Sequence, residues 1–544
     1  MAARDATLWD HYTRTMTTDP DRWAVVDQQG GRLTHQQLHD LAGRASAGFS
    51  ALGLDAGSIV GVFLPNRITW PIIALAASHR GIGVLGLNTR FRHGELNHLL
   101  EVAEVDVVVA VEEFLGIDGP TLFGELDRPI KVIVEQAGQG EGSQDRGLMP
   151  FDELLTDRPG DAVDAVGAVG TPADPLIGFT TSGTTGFPKI AMHDQAQTLH
   201  HLLAVIDRFG LGPDTVNLAP LPLCGAFGYS GAMATLLAGG AVVAHETWSA
   251  DAAADAIDEH GVTFFSASDD MLLGLAGSDR FRAETTWTDG GFADFTNAGA
   301  EAVSTIESAT GGTTRLTGLY GSSEGFALMS AWDRRAPQTE RVRNGGYLVS
   351  AEMAVRCCDT ETGAVLPHGR SGELQFKGPS LITNYLNNPD ADRRAFTADG
   401  WYRSGDLGHT VEPDDDGHHG FVYQARLGDT LRLRGFLCDP AEIECHLERH
   451  DRVELAQVVG VRRPGVGDVA VGFVRLTAAD GTDEPVDEAD LLAHCRSGLA
   501  NYKQPERIVV VEEFPVTDGP NGIKIRKVDL RERAAALLDG ATAR

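Results

Sequence analysis

Ten consecutive residues, Thr180-Thr181-Ser182-Gly183-Thr184-Thr185-Gly186-Phe187-Pro188-Lys189, gather five hydroxyls, two glycines and one lysine directly after the apolar run Pro175-Leu176-Ile177-Gly178-Phe179. A strand feeding such a loop presents backbone N–H groups, hydroxyl donors and a cation to one small volume, which is what a polyphosphate needs. The spacing is Gly-x-x-Gly-x-x-Lys, distinct from the Gly-x-x-x-x-Gly-Lys-Ser/Thr loop of the common nucleotidases. A polar surface loop has the same composition, but not the Pro-Lys ending behind a strand.

Further short motifs follow in a fixed order over nearly the whole chain. They are Leu33-Thr34 with Leu38, Val62-Phe63-Leu64-Pro65-Asn66, Gly86-Leu87-Asn88-Thr89-Arg90 and Tyr320-Gly321-Ser322-Ser323-Glu324. Then come Gly372-Glu373-Leu374 with Lys377-Gly378-Pro379, and Tyr402-Arg403-Ser404-Gly405-Asp406-Leu407. Arg426, Pro440-Ala441-Glu442-Ile443-Glu444 and Lys524-Ile525-Arg526-Lys527 complete the series. Singly each is weak; collinear, they resemble the adenylate-forming (AMP-binding) superfamily of acyl-CoA synthetases, nonribosomal adenylation domains and luciferases. The free-standing chain is most similar to the acyl-CoA synthetases, which are acid–thiol ligases.

Activating a carboxylate with ATP requires a phosphate cradle, Mg²⁺ on the phosphate oxygens, a grip on the nucleoside and a cation for charge building at the α-phosphate. Thr181, Ser182, Gly183, Thr184, Thr185, Gly186 and Lys189 are candidates for the cradle, with Thr184 also a catalytic candidate. Glu324 offers a hard oxygen for Mg²⁺, Tyr320 a flat face for adenine, and Gly321, Ser322 and Ser323 the turn beside it. Asp406 can accept from both ribose hydroxyls and Arg426 can donate to the same sugar. Lys524, near the chain end, is the candidate transition-state cation, with Lys527 as its alternative. The resemblance implies these same roles at the matching positions. It also implies ATP, Mg²⁺ and, as second substrate, coenzyme A.

Four features depart from the family pattern. One extra residue separates glycine from lysine in Asn521-Gly522-Ile523-Lys524-Ile525. Where relatives carry an aromatic-His pair after Pro-Leu, this chain reads Pro222-Leu223-Cys224-Gly225-Ala226-Phe227, without a gating side chain. The hinge position is Gly428, which admits any φ. The usual Gly-Gly pair near pantetheine is Arg434-Gly435, where an arginine can pair with a phosphate of coenzyme A or block a thiol arm. The acid pocket is expected at Gly225, Phe227, Tyr229 and the run Phe295-Thr296-Asn297-Ala298-Gly299, mostly apolar and without a basic residue. A medium-sized aromatic or cyclic acid fits it as well as a fatty acid.

Stepping outward, 544 residues exceed one ordinary domain. A net charge of −32, from 77 acidic and 45 basic residues, opposes nucleic acid and anionic membranes as partners. Six cysteines without C-x-x-C spacing indicate reduced thiols, and neither a signal peptide nor a membrane span is evident, so a cytoplasmic location is expected. A homodimer is the assembly expected. Continuous apolar strands at 58–64, 84–87 and 107–111, a buried helix at 70–79, and further strands at 241–244 and 262–265 indicate parallel sheets covered by helices. The prolines of Ala219-Pro220-Leu221-Pro222 should end the strand that arrives from Val216. Residues 136–146 read as a solvated loop. Between 350 and 405, short alternating strands such as 373–377 indicate a small antiparallel subdomain. Asp439, Pro440 and Glu442 read as N-cap, first helical residue and capping-box partner. The expected fold is thus α/β. It has a large N-terminal AMP-binding domain (1–426) of parallel-rich sheets with an antiparallel subdomain, and a smaller mobile α/β domain (427–544) carrying the lysine.

Three activities accommodate these residues. The first is an acid–thiol ligase that forms acyl-AMP and then the coenzyme A thioester. The second is an adenylating ligase with another acceptor: an amine ligase, or a diazotase-like enzyme coupling nitrite to an aryl amine. The third is a non-catalytic nucleotide-binding protein.

Overall fold

The computed structural model describes residues 6–135, 148–155, 170–181, 188–295, 298–360, 362–427, 431–434, 436–438, 440–463, 466–477, 486–519, 522–525 and 527–541. The readings at 136–146, at Ser182 to Phe187, and at Thr296, Asn297, Gly428, Gly435 and Asp439 lie outside them. The chain divides into two compact units. The first comprises Met1–Thr89, Leu100–Thr180 and Ile190–Leu427; the second comprises Arg90–Leu99, Thr181–Lys189 and Gly428–Arg544.

In the first unit the valine-rich runs form parallel strands, as their two-sided apolar character requires. Ile59–Phe63 lies between Gly83–Gly86 and Val107–Val111 in a sheet of seven strands among the described residues. Thr69–Arg80, buried along almost its whole length, covers this layer and ends at Gly81 in the left-handed conformation (φ 75°). A larger sheet holds the parallel strands Ala241–Ala244, Val216–Ala219, Phe264–Phe265, Asp289–Ala293 and Arg315–Ser322 in that spatial order. The strand from Val216 does stop at Ala219, before the prolines. The strand expected over 262–265 shortens to Phe264–Phe265, because the preceding helix ends only at Gly261 (φ 63°).

The antiparallel strands expected between 350 and 405 are present, and they extend the large sheet. Arg315–Ser322 pairs in parallel with Asp289–Ala293 on one side and antiparallel with Phe326–Ala331 on the other. The large sheet therefore continues through Gly345–Leu348, Gly420–Arg426, Tyr402–Val411, Gly372–Lys377 and Ala354–Cys358. None of the six cysteines is joined in a disulfide among the described residues.

The second unit has its own sheet, in which Val453–Arg463 and Gly467–Leu476 run antiparallel. Alternation distributes its residues to two faces: Val458 and Ala470 join one buried cluster with Ile443 and Leu491, and Val459 and Val471 join another with Phe514 and Leu530. The helix Pro440–Leu447 starts at the proline, as read. Its Glu442 carboxylate accepts from buried Lys503 at 2.6 Å, and Glu95 of the same unit accepts from that ammonium at 2.7 Å. Among the described residues no helix is long and apolar enough to cross a membrane.

Asp289 opens a central strand of the larger sheet and is buried, which raises its carboxyl from 3.8 to about 6 although Arg334 lies 2.7 Å away. A carboxyl that protonates more readily in the folded chain favours folding at low pH, and that contribution is lost as pH rises through this window. Asp289→Asn keeps the neutral form at every pH. In urea titrations the variant is expected to gain on the wild type by on the order of 2 kcal/mol between pH 4 and pH 6.5. A gap that does not move with pH would show that Asp289 is already ionised.

Candidate active site

The parallel neighbours Val216–Ala219, Phe264–Phe265, Asp289–Ala293 and Arg315–Ser322 end on one common edge, because parallel strands point their C-termini the same way. Ligands of open α/β sheets sit outside that edge. Segments leave it at Pro220, Asp294 and Ser323, and the candidate residues Gly225, Ala298, Gly299 and Tyr320 to Glu324 lie at or just beyond these exits.

Buried side chains fix the first two segments. Asn66 donates to the carbonyls of Ala219 (3.0 Å) and Leu221 (2.8 Å) and accepts from Leu223 N–H (2.8 Å). A Cβ on Gly86 would lie 2.7 Å from the carbonyl oxygen of Cys224, so the absent side chain admits this turn. Fully buried Asp269 accepts from Phe295 N–H and Ala298 N–H, each at 3.0 Å, while Asp294 accepts from Gly299 N–H at 3.2 Å. Burial, then a hydrogen bond shared with Asp269, raises the Asp294 carboxyl above the usual carboxylate range. Gly225 precedes the helix Ala226–Leu237, which places Phe227 and Tyr229 in its first turn. Tyr229 is buried edge-on to Phe179 at 5.6 Å, and its hydroxyl has no partner among the described residues. Burial raises its pKa, which keeps the phenol neutral.

The third segment joins the nucleotide candidates. Tyr320 donates its hydroxyl to Asp406 at 2.5 Å, and its ring packs against Phe376, Phe421 and Tyr423. Asp406 lies directly opposite Arg426 in the antiparallel register. Ser322 Oγ accepts from Gly325 N–H at 3.2 Å, and Ser323 Oγ donates to the carbonyl of Thr180, where the phosphate loop begins, at 3.4 Å. A Cβ on Gly321 would meet Ala327 Cα and Phe326 O at 2.4 Å, so the chain's own backbone occupies that space. Glu324 is 5% exposed and accepts from the Tyr385 hydroxyl at 2.7 Å, a position no surface carboxylate would hold. Burial, then the Glu324 charge, drives the Tyr385 phenol upward.

Other candidates lie in the second unit. Lys189 opens the strand Lys189–Asp194. Lys524 stands opposite Thr517 in the hairpin of Val516–Gly519 and Gly522–Ile525. Lys527 is instead bound to Glu444 at 3.0 Å. Arg434 is exposed and left-handed (φ 50°) in the turn between Leu433 and Phe436. In the sequence Asn66 stands out only as the last residue of the motif Val62-Phe63-Leu64-Pro65-Asn66, and Asp269, Asp294, Tyr385, His193 and His201 do not stand out at all.

The family described as AMP-binding enzyme matches residues 12–386, and its C-terminal domain matches residues 442–518. A 3-(7a-methyl-1,5-dioxo-octahydro-1H-inden-4-yl)propanoyl:CoA ligase of Mycobacterium tuberculosis is 30% identical over 519 residues, covering 94% of this chain and 96% of its own. The 4-coumarate–CoA ligase 5 of Oryza sativa is 26% identical, covering 97% and 95%. The solved amide bond synthetase McbA of Marinactinospora thermotolerans shares the fold with a TM-score of 0.79 at 24% identity, covering 97% and 99%.

The two glycines give opposite expectations. The nearest atom to a Cβ on Gly225 is Pro222 O at 3.5 Å, an ordinary contact. Gly225→Ala should therefore stay within about 1 kcal/mol of wild type, whereas Gly321→Ala should lose about 1–3 kcal/mol or more from the overlap with backbone. Denaturant midpoints of the two variants check this; equal midpoints would remove the packing account of Gly321.

Proposed function

This chain belongs to the AMP-binding enzyme family and is an AMP-forming ligase, and from that premise we propose that it adenylates a small carboxylic acid and passes the acyl group to coenzyme A. The observation that carries the reading is the shared strand edge: the acid-pocket segments leave it, and Tyr320 and Glu324 stand at it, hydrogen-bonded to Asp406 and Tyr385. A carboxylate oxygen of the acid attacks the α-phosphorus of ATP, the bond to the bridging oxygen breaks, and pyrophosphate leaves. The thiol sulfur then attacks the acyl carbon, and AMP leaves with the acyl oxygen.

The roles rest on the chemistry of each side chain and on its match to the family motifs. Thr181 to Gly186 and Lys189 cradle the phosphates, Tyr320 supports adenine, and Asp406 with Arg426 holds the ribose. Glu324 is the protein ligand for Mg²⁺, which when bound neutralises phosphate charge. A lone buried carboxylate fits this ion, which keeps waters and phosphate oxygens as most of its ligands. Gly225, Phe227, Tyr229, Ala298 and Gly299, with Asn297, wall the acid pocket. Residues 427–544 turn about Gly428, and Lys524 meets the developing charge in the first half-reaction only. The Lys527–Glu444 ion pair supports Lys524 over its neighbour. A second reading, with an amine as acceptor, is favoured by Arg434 where relatives carry glycine.

ATP–pyrophosphate exchange across a panel of aromatic, cyclic and fatty acids tests adenylation, and omitting coenzyme A separates the acceptors. Product formed with an amine in the absence of coenzyme A would establish the second reading, and no exchange with any acid would sink both. Lys524→Ala should lower exchange about 100-fold or more, yet leave thioester formation from a synthetic acyl-adenylate intact. Lys527→Ala should retain exchange; if it is the damaging change, the lysine assignment is wrong.

A further inference from the structure

Directly after Glu324 the backbone takes an unfavourable path. Phe326 and Leu328 both lie in the left-handed region, at φ 64° and 59°, where a residue with a Cβ is disfavoured. Such conformations persist only where the surroundings over-determine them, and they concentrate at functional sites. Here the surroundings are two buried histidines from different elements. His193, on the strand Lys189–Asp194, donates Nε2–H to the carbonyl of Ser323 at 2.8 Å. His201, on the helix Gln195–Phe209, donates Nε2–H to the carbonyl of Ala327 at 2.9 Å. The two bonds bracket Glu324 in the chain.

The ring between them is held as well. Phe326 packs against His193 (centroids 4.0 Å apart) and stacks on His201 (4.6 Å, interplanar angle 6°), with Phe179 edge-on at 5.7 Å. The Nδ1 atoms of both histidines are buried and without a partner among the described residues, which matches a neutral ring whose single proton serves the carbonyl. Burial lowers the pKa of His193 to about 4 and of His201 to about 3, in agreement with that tautomer. Beyond the clamp, Glu324 is tied by its own carbonyl, which accepts from Ile382 N–H at 2.9 Å, and by Tyr385.

We propose that His193 and His201 are positioning residues that hold the Ser323–Ala327 backbone so that the Glu324 carboxylate is preset to take a divalent cation bound to ATP. The inference rests on the reading of Glu324 as the metal ligand. A carboxylate on a freely moving turn must be ordered at each binding event, whereas one on a clamped, strained turn is already ordered, so removing a clamp bond should weaken metal binding before anything else.

The test uses Mn²⁺ as an EPR-visible stand-in for Mg²⁺, titrated into the full-length protein with a non-hydrolysable ATP analogue, without turnover. His193→Phe keeps a ring against Phe326 but removes the donor. It should raise the half-saturating Mn²⁺ concentration about tenfold while metal-free analogue affinity stays at the wild-type value, and the apo melting temperature should fall modestly, since the Ser323 carbonyl loses its donor. His193→Gln, whose amide reaches as far as Nε2, should restore most of the affinity. His201→Phe repeats the test from the other side should the first variant fold poorly. Wild-type Mn²⁺ binding in both Phe variants, or a loss of Mn²⁺ affinity matched by an equal loss of metal-free analogue affinity, would overturn the clamp. Glu324→Gln is titrated alongside. If it binds Mn²⁺ like wild type, the metal-ligand reading itself falls, and the clamp proposal falls with it.

Discussion

Where a parallel sheet ends, the backbone N–H and C=O groups of its last residues lose their ladder partners, and burying them unpaired is costly. In this chain the cost is met by polar side chains that come from elsewhere in the sequence. Asn66 serves the 219–223 turn, Asp269 and Asp294 serve 295–299, and His193 and His201 serve 323–327. Each substitute bond fixes one segment of the same edge. The candidate site is therefore an edge whose loops are shaped by buried hydrogen bonds, with the candidate residues riding on them.

That arrangement explains what was legible beforehand. The valine-rich strands, the buried helix near Trp70, the proline stop after Ala219 and the order of the short motifs could all be read, because each depends on local periodicity or on residues that touch each other in sequence. Continuation of the parallel sheet into antiparallel strands was not legible, since it depends on Arg315–Ser322 having two different neighbours. The supporting residues were equally hidden. His193 and Ser323 lie 130 positions apart, and Asn66 and Leu223 lie 157 apart. No spacing rule connects such partners.

Glycine illustrates how one residue type serves two ends. At Gly321 the missing side chain lets the hairpin strand return at contact distance, a folding requirement. At Gly225 a Cβ would meet only Pro222 O, at the ordinary contact distance of 3.5 Å, so packing at this atom does not demand glycine. A wall position free of packing demands can vary with the substrate, whereas one that packs against its own backbone cannot. Arg434 presents the reverse case, a bulky residue holding a conformation that glycine would take without strain.

The second unit has two apolar clusters of its own, one on each face of the sheet built on Val453–Arg463 and Gly467–Leu476. A body with its own core has its own cooperative transition. Calorimetry of the intact chain should then show two overlapping endotherms, and a single melting temperature would be a composite. Nucleotide that binds the first unit alone would move one endotherm and leave the other in place, so the spacing between the peaks becomes a direct report of which unit a ligand engages.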